Sequence, residues 1–378
     1  MKVLLTATVQ SHIAQFHKPL IGLLKEKGYE VHVAAKNNLF EKDGLEIENV
    51  DEVFDIPFER SPFKINNVIA YKKLKLLIMK NKYDIIHCNT PVGGVITKLA
   101  AKEARKNGTQ VFYTAHGFHF YSGASVFNWL LYYPLEKIMA GFTDKLITIT
   151  KEDYDRVKNS FNTNVYYMHG VGANEKKYYP VSLEDSSKIR SELSYSKRSF
   201  ILVCAGELNK NKNQRTLIRA ISISVKKIPD ILLLIAGNGS DENELKTMVK
   251  NLKIEKNVVF LGYKTDLDKY MKICDVLVSA SYREGLPLNI IEAMLCCKPV
   301  IASQNRGHRE LVEDRKTGLL SNANTPLRFA ELILELYLHA EKREIYGKNG
   351  MKKSELFTTK NIIKELTTIY QLKGKKYG

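Results

Sequence analysis

Features that would shortcut an assignment are scarce in these 378 residues, which hold one tryptophan, ten prolines and five cysteines. The cysteines (Cys88, Cys204, Cys274, Cys296, Cys297) are odd in number and have neither C-x-x-C spacing nor histidines at ligand spacing. That excludes a disulfide framework and a sequence-encoded zinc finger. They read as small buried hydrophobes, the adjacent Cys296 and Cys297 included. Long apolar runs are missing too: the longest, such as Ile231 to Ala236, are strand length and far short of a membrane span. Met1-Lys2 leads directly into Val3-Leu4-Leu5 and a polar turn, without the apolar block and cleavage site of a secretory signal, so a cytoplasmic location is expected. No short-period repeat or low-complexity tract appears.

Acidic residues are in deficit, 41 against 58 Lys and Arg, for a formal net charge of +17. Such an excess suits nucleic acid, an anionic membrane surface, or a lysine-rich solvated exterior. No recognition-helix, RNP or zinc motif supports nucleic acid. Residues 60–82 hold seven basic side chains (Arg60, Lys64, Lys72, Lys73, Lys75, Lys80, Lys82) and no acidic one. Ile65, Val68, Ile69, Leu74, Leu77 and Ile78 can form an apolar face beside them, which suits either an ordinary layer helix or one lying on an anionic lipid surface. The last 33 residues add eight lysines against two glutamates.

What is present is 44% hydrophobic residues in a folded-protein pattern. Strand-like apolar runs alternate with helical patterns at Val3–Ala7, Glu30–Ala35, Asp84–Cys88, Gln110–Ala115 and Lys145–Ile149. A second series follows at Phe200–Cys204, Ile231–Ile235, Val258–Leu261, Val276–Ser279 and Val300–Ala302. This is the rhythm of parallel, doubly wound α/β sheets, and the chain is long enough for two domains. Residues 170–198, polar and weakly periodic, read as the connection.

The most informative stretch is REGLPLNIIEAM, where a Gly-Leu-Pro loop opens into an apolar helix between Glu284 and Glu292. Pro287 fits the first helical position, which would leave the Leu288, Asn289 and Ile290 amides free at a positive helix end that attracts phosphate. Ionised Glu284 and Glu292 accept hydrogen bonds only, which suits the hydroxyls of a sugar or ribose. The ordinary alternative is two glutamates placed to suit the helix dipole. Elsewhere, Asp266-Leu-Asp268 imitates a metal-binding Asp-x-Asp but precedes a helix that it can cap, so no metal is expected. Ser11 is a candidate cap for the helix that follows the first strand. Trp129 to Tyr133 form the densest aromatic patch, suited to a core helix, a lipid interface or an acceptor mouth.

Glu284-x7-Glu292 with its Gly-x-Pro resembles the signature of family 4 glycosyltransferases, retaining enzymes of the GT-B fold. HCNTPVGG at 87–94, YTAHGFHFYSGA at 113–124, AGELNKNKNQ at 205–214, AGNGSDENEL at 236–245 and RGHRELVEDRKTGLL at 306–320 are similar to family segments in family order. HGFHFY, LLYYPLEK and RGHREL further resemble the bacterial branch that extends lipid-linked saccharides in exopolysaccharide and capsule synthesis.

The resemblance implies two Rossmann-like domains facing across a cleft. Residues 1–172, joined by a C-terminal helix at about 358–378, would bind acceptor, and residues 173–357 would bind a nucleotide sugar, expected to be UDP-linked, with domain closure aligning the two. It implies catalytic roles for His116, Glu284 and Lys212, with Lys212 neutralising the leaving diphosphate and no metal or other cofactor required. Donor binding falls to Glu292, Gly285, Leu286, Pro287, Leu288, Asn289, Gly206, Gly237, Gly239 and Arg283. His12, His119 and Arg306 are candidates for acceptor or phosphate, with a core role the alternative for His119. The expected partners are a polyprenyl diphosphate-linked saccharide and an anionic membrane surface, with the protein peripheral on the inner face of the cell membrane.

Two departures stand out. The first turn, TATVQSHIAQFH, lacks the family's Gly-Gly pair. Glu207 stands where the family carries an arginine, so that either Lys210, Arg283 or Arg306 replaces it or Glu207 orients Lys212 through an ion pair. A nucleotide-sugar epimerase and a basic nucleic-acid-binding protein are the rival readings.

Overall fold

The computed structural model describes residues 1–41 and 45–372. Two compact units emerge, one from Met1–Gly172 with the returning segment that begins at Thr359, the other from Ala173–Thr358. In the first, seven strands run β1 (Lys2–Val9), β2 (Glu30–Lys36), β3 (Glu52–Asp55), β4 (Ile85–Asn89), β5 (Gln110–Ala115), β6 (Lys145–Thr148) and β7 (Asn164–Tyr167). Their order in the sheet is β3-β2-β1-β4-β5-β6-β7, and every pairing is parallel.

The second unit repeats the plan with β8 (Phe200–Ala205), β9 (Ile231–Ala236), β10 (Val258–Gly262), β11 (Val276–Ser279), β12 (Val300–Ser303) and β13 (Gly318–Ser321). They lie in the order β10-β9-β8-β11-β12-β13, again all parallel. Helices on both faces bury the central strands completely, which is why FILVCA of β8 reads as one unbroken apolar run. Three strands have no such run. β3 (EVFD) and β7 (NVYY) are edge strands open on part of their surface, and β13 (GLLS), also an edge strand, is mostly buried but offers only two apolar side chains in its four residues.

Residues 170–198 are more than a connection. Ser182 caps a helix at Leu183–Glu192 by accepting the Asp185 amide. That helix is anchored by buried Arg190, whose guanidinium donates to the Ile273 carbonyl and to Asp275. Ile189 and Leu193 add partly buried apolar contacts, too few to form a stripe, so its polar sequence hid it.

The chain's last described helix, Thr359–Ile369, completes the first unit. Ile362, Leu366 and Ile369 are buried, Lys145 donates to the Ile369 carbonyl at 2.6 Å, and His87 Nδ1 meets the Tyr370 hydroxyl at 2.6 Å. The helix expected at about 358–378 ends at Ile369, and residues 373–378 lie outside the described residues.

Two helices of the first unit leave apolar faces in solvent. Asn66–Asn81 packs inward through Ala70, Leu74 and Ile78, so its expected single apolar face is split, with Ile65, Val68 and Ile69 exposed. Phe63, Leu76 and Met79 are exposed as well, beside Lys72, Lys73 and Lys80. Val126–Ala140 buries only Met139 and Ala140. Trp129, Tyr132 and Tyr133 lean partly on the core, whereas Val126, Phe127, Leu130, Leu131 and Ile138 face water. No helix among the described residues is long and apolar enough to cross a membrane.

Candidate active site

In open parallel sheets, ligands collect beyond the carboxyl ends of the strands where the strand order reverses. In the second unit that point lies between β8 and β11. The loop after β8 carries Gly206 and Lys212, and the loop after β11 carries Arg283, Glu284 and Gly285. The structure joins them: Lys212 Nζ donates to Glu284 Oε1 at 2.7 Å, and the Asn211 side chain donates to the Arg283 carbonyl at 2.9 Å. Gly206 lies directly over the lysine stem, since a Cβ there would meet Lys212 Cε at 3.3 Å. Gly237, after β9, passes closer still, with the position of its missing Cβ 2.1 Å from the Gly206 carbonyl oxygen. Only glycine permits that approach.

Lys212 therefore pairs with Glu284 and not with Glu207. Glu207 is exposed, and its backbone carbonyl accepts from Gln214, so of the two alternatives for Glu207 the ion pair with Lys212 is not formed. Burial alone would raise the Glu284 carboxyl, but the Lys212 ammonium and hydrogen bonds from Lys212 and Ser281 outweigh it and hold Glu284 ionised below its ordinary value. His308 also faces Glu284, yet burial pushes its own pKa down to about 4, so near neutral pH the lysine is the ionic partner. Arg306, buried at the start of the next helix, reaches the Glu284 carbonyl at 3.4 Å. Gly307 lets that helix approach: its missing Cβ would fall 2.3 Å from the Gly285 carbonyl oxygen.

The helix after the Gly-Leu-Pro loop runs Leu288–Leu295. Pro287 is its N-cap, with φ −75° and ψ 114°, not its first helical residue as expected. The Ile290 amide is consequently occupied, bonding the Asn289 side chain and the Pro287 carbonyl. Leu288 and Asn289 keep amides with no intrahelical acceptor, at the positive end of the helix. The Asn289 side chain donates to the Ala205 carbonyl at 2.6 Å and so fixes this end beside the tip of β8.

Glu292, one turn further on, is buried apart from Glu284 and shares none of its partners. Burial raises its pKa to about 7 despite a hydrogen bond from Tyr178 and the charge of Lys177, with Asp268 adding to the rise. The expected pair of carboxylates is thus an ionised acceptor beside lysine and a second carboxyl that titrates near neutrality.

Gly239 packs its backbone on Leu208. Asp266 stands at the N-cap of Leu267–Ile273 but makes no side-chain cap bond, and Asp268 pairs with Lys272, so the capping role expected of this motif is not formed by its side chains.

In the first unit the strand order reverses between β1 and β4. The ends of β1, β4 and β5 bring His12, Asn89 and His116 together. His116 Nε2 lies 3.1 Å from Asn89 Oδ1 and 3.3 Å from His12 Nε2. Burial pushes the His116 pKa down to about 4 and lowers that of His12, so both rings are neutral near pH 7. Ser11 lies inside the helix Gln10–Phe16, whose N-cap is Val9, and its hydroxyl accepts from Asn38, so it is not the expected cap. His119 stands apart, stacked on Tyr132 with centroids 4.4 Å apart. Sequence reasoning passed over Tyr178, His308 and His17. The clue to His308 is its place just beyond β12 in RGHREL, whereas Tyr178 lies in a segment read as linker.

Comparison with known proteins agrees with this geometry. Residues 185–353 match the family described as Glycosyl transferases group 1, and residues 2–150 match Glycosyl transferase 4-like. A Bacillus subtilis candidate glycosyltransferase, EpsD, is 41% identical over 98% of this chain and 96% of its own. The Escherichia coli UDP-Gal:alpha-D-GlcNAc-diphosphoundecaprenol alpha-1,3-galactosyltransferase is 29% identical over 70% of each. Among solved structures, Anabaena HepE in complex with UDP-glucose superposes with a TM-score of 0.79 at 23% identity, covering 98% of this chain and 99% of that one.

Proposed function

The chain belongs to the group 1 glycosyltransferases, and from that premise we propose that it moves a sugar from a UDP-linked donor to a lipid-linked saccharide, with retention, in cell-surface polysaccharide synthesis. The observation carrying this reading is the Lys212–Glu284 pair beside a helix end with two unclaimed amides, a ready cradle for a diphosphate. Relatives point the same way. The galactosyltransferase above is named for a UDP-galactose donor and a diphosphoundecaprenol acceptor, and a Staphylococcus aureus relative is named for capsular polysaccharide biosynthesis.

In this reading the diphosphate lies against Leu288, Asn289 and Lys212, within a loop shaped by Gly206, Gly285, Leu286 and Pro287. Lys212 stabilises the charge that grows on the diphosphate as its bond to the sugar breaks. Glu292 accepts a ribose hydroxyl and Glu284 a sugar hydroxyl, with Gly237 and Gly239 bounding the nucleotide side. Arg306 takes the place of the family arginine. His116 hydrogen-bonds the transferred sugar, and His12 contacts acceptor phosphate. The departing phosphate receives the acceptor proton, so no covalent enzyme intermediate forms.

The polar and apolar exteriors of Asn66–Asn81 and Val126–Ala140 suit an anionic bilayer, which would place the protein on the inner face of the membrane. The experiment is a screen of radiolabelled nucleotide sugars against lipid-linked acceptors in membranes. Label transfer dependent on acceptor supports the reading, whereas product formed without any acceptor favours the epimerase.

A further inference from the structure

Four of the chain's nine histidines, His12, His17, His87 and His116, crowd one end of the first sheet. His87 is fully engaged, its Nδ1 with the Tyr370 hydroxyl at 2.6 Å and its Nε2 with Thr114 at 2.7 Å. The other three are not. One ring nitrogen from each of His12, His17 and His116 lies within 4.8 Å of the other two, and the buried His17 Nε2 has no hydrogen-bond partner among the described residues.

The proton count leaves this cluster short. His116 Nε2 faces both Asn89 Oδ1 and His12 Nε2, and Asn89 Oδ1 can only accept, because the amide nitrogen of Asn89 donates to the Thr6 carbonyl. A single proton on His116 Nε2 must serve both contacts. His12 Nε2 then turns a lone pair into the cluster alongside the unsatisfied His17 Nε2.

We propose that His12, His17 and His116 form a binding site for a divalent transition-metal ion of the zinc class. Three imidazoles with a fourth position open are the donor set of that ion, whereas magnesium and calcium demand oxygen ligands. Zinc–nitrogen bonds of about 2.05 Å at tetrahedral angles put two ligand nitrogens roughly 3.3 Å apart. His12 Nε2 and His116 Nε2 already stand at 3.3 Å. From a longest separation of 4.8 Å, the His17 nitrogen closes by at most about 1.5 Å, within reach of small ring rotations. Binding displaces the His116 Nε2 proton to solvent or to Nδ1, and the fourth position takes water or a phosphate oxygen. His12 and His116 are half-buried, which leaves the ion a way in. No contiguous motif announced this site, because its ligands come from the helix after β1 and its C-cap and from the loop after β5, about a hundred residues apart.

Chelator-treated full-length protein titrated with Co2+ and then Zn2+ tests the site. The expected result is one Co2+ per chain with the intense visible bands of four-coordinate cobalt, displaced by Zn2+. His12→Ala and His116→Ala each weaken binding by more than about tenfold, while His339→Ala, on an exposed helix start, leaves it unchanged. His17→Asn is expected to weaken binding to a similar extent, and the half-buried His12 keeps the test decisive should that variant fold poorly. Absence of the cobalt bands in the wild type overturns the site, as does metal capture that survives His12→Ala and His116→Ala unchanged. The titration needs no nucleotide, so its failure leaves the sugar-transfer reading standing, and loss of UDP binding leaves the metal site standing.

Discussion

Replacing Glu292 with glutamine should stabilise the second unit at alkaline pH and leave it unchanged at acidic pH. The Glu292 carboxyl is raised from an ordinary 4.5 to about 7, principally by burial. A carboxyl whose pKa rises on folding contributes stability that is complete below pH 4.5 and is lost as pH climbs through 7. Between pH 5 and pH 8 that loss comes to about 2 to 3 kcal/mol. Glutamine is nearly isosteric with the protonated acid and has no charge to bury, so the variant lacks this loss. For a unit of this size, a difference of that order moves the melting temperature by about 5 to 10 °C.

The five histidines whose pKa is lowered by burial (His12, His17, His87, His116, His308) act in the opposite sense, withdrawing stability as pH falls below 6.5. They are common to both proteins and cancel in the comparison. Calorimetric melting of both at pH 5 and pH 8 should show coincident transitions at pH 5 and a more stable variant at pH 8. A gap between the two proteins that is the same at both pH values would refute the burial argument for Glu292.

Ligand binding through the same carboxylate should follow pH in the converse way. A hydroxyl donates to the ionised form, so UDP affinity measured by calorimetry should rise by up to about tenfold per unit below pH 7 and flatten above it, and the slope should vanish in Glu292→Gln. Gly307→Ala forces a methyl against the Gly285 carbonyl and should cost about 1 to 3 kcal/mol of stability in chemical denaturation, with UDP affinity falling alongside. His116→Ala should slow turnover with little change in UDP affinity, a split that steady-state kinetics and direct binding separate. Replacing exposed Leu130 and Ile138 together by aspartate should abolish sedimentation with anionic vesicles while leaving transfer to a short-chain soluble acceptor intact.

The central strands and the Glu284 loop were legible because both carry strong local signals. Strands buried on two faces read as apolar runs, and a glycine-proline turn ahead of an apolar helix is a positional signal for a helix end. β3 and β7 escaped notice because these edge strands bury too little to leave a pattern, and β13 because only two of its four residues are large and apolar. The helix around Arg190 was hidden because its anchor is a guanidinium bound to carbonyls. Pairings across the fold were the least legible. Nothing local in GELNKNKNQ indicates that Lys212 turns to Glu284, seventy-two residues on, and away from nearby Glu207. Nor does local sequence show Tyr178 lying against Glu292 and raising a separate environment for the second carboxylate.

A crystal of the protein soaked with UDP tests the account most directly. The diphosphate should lie within hydrogen-bond distance of Lys212 Nζ and the Leu288 and Asn289 amides, with the ribose hydroxyls on Glu292. Nucleotide density elsewhere in the second unit, or a Lys212–Glu284 pair untouched by bound UDP, would contradict it.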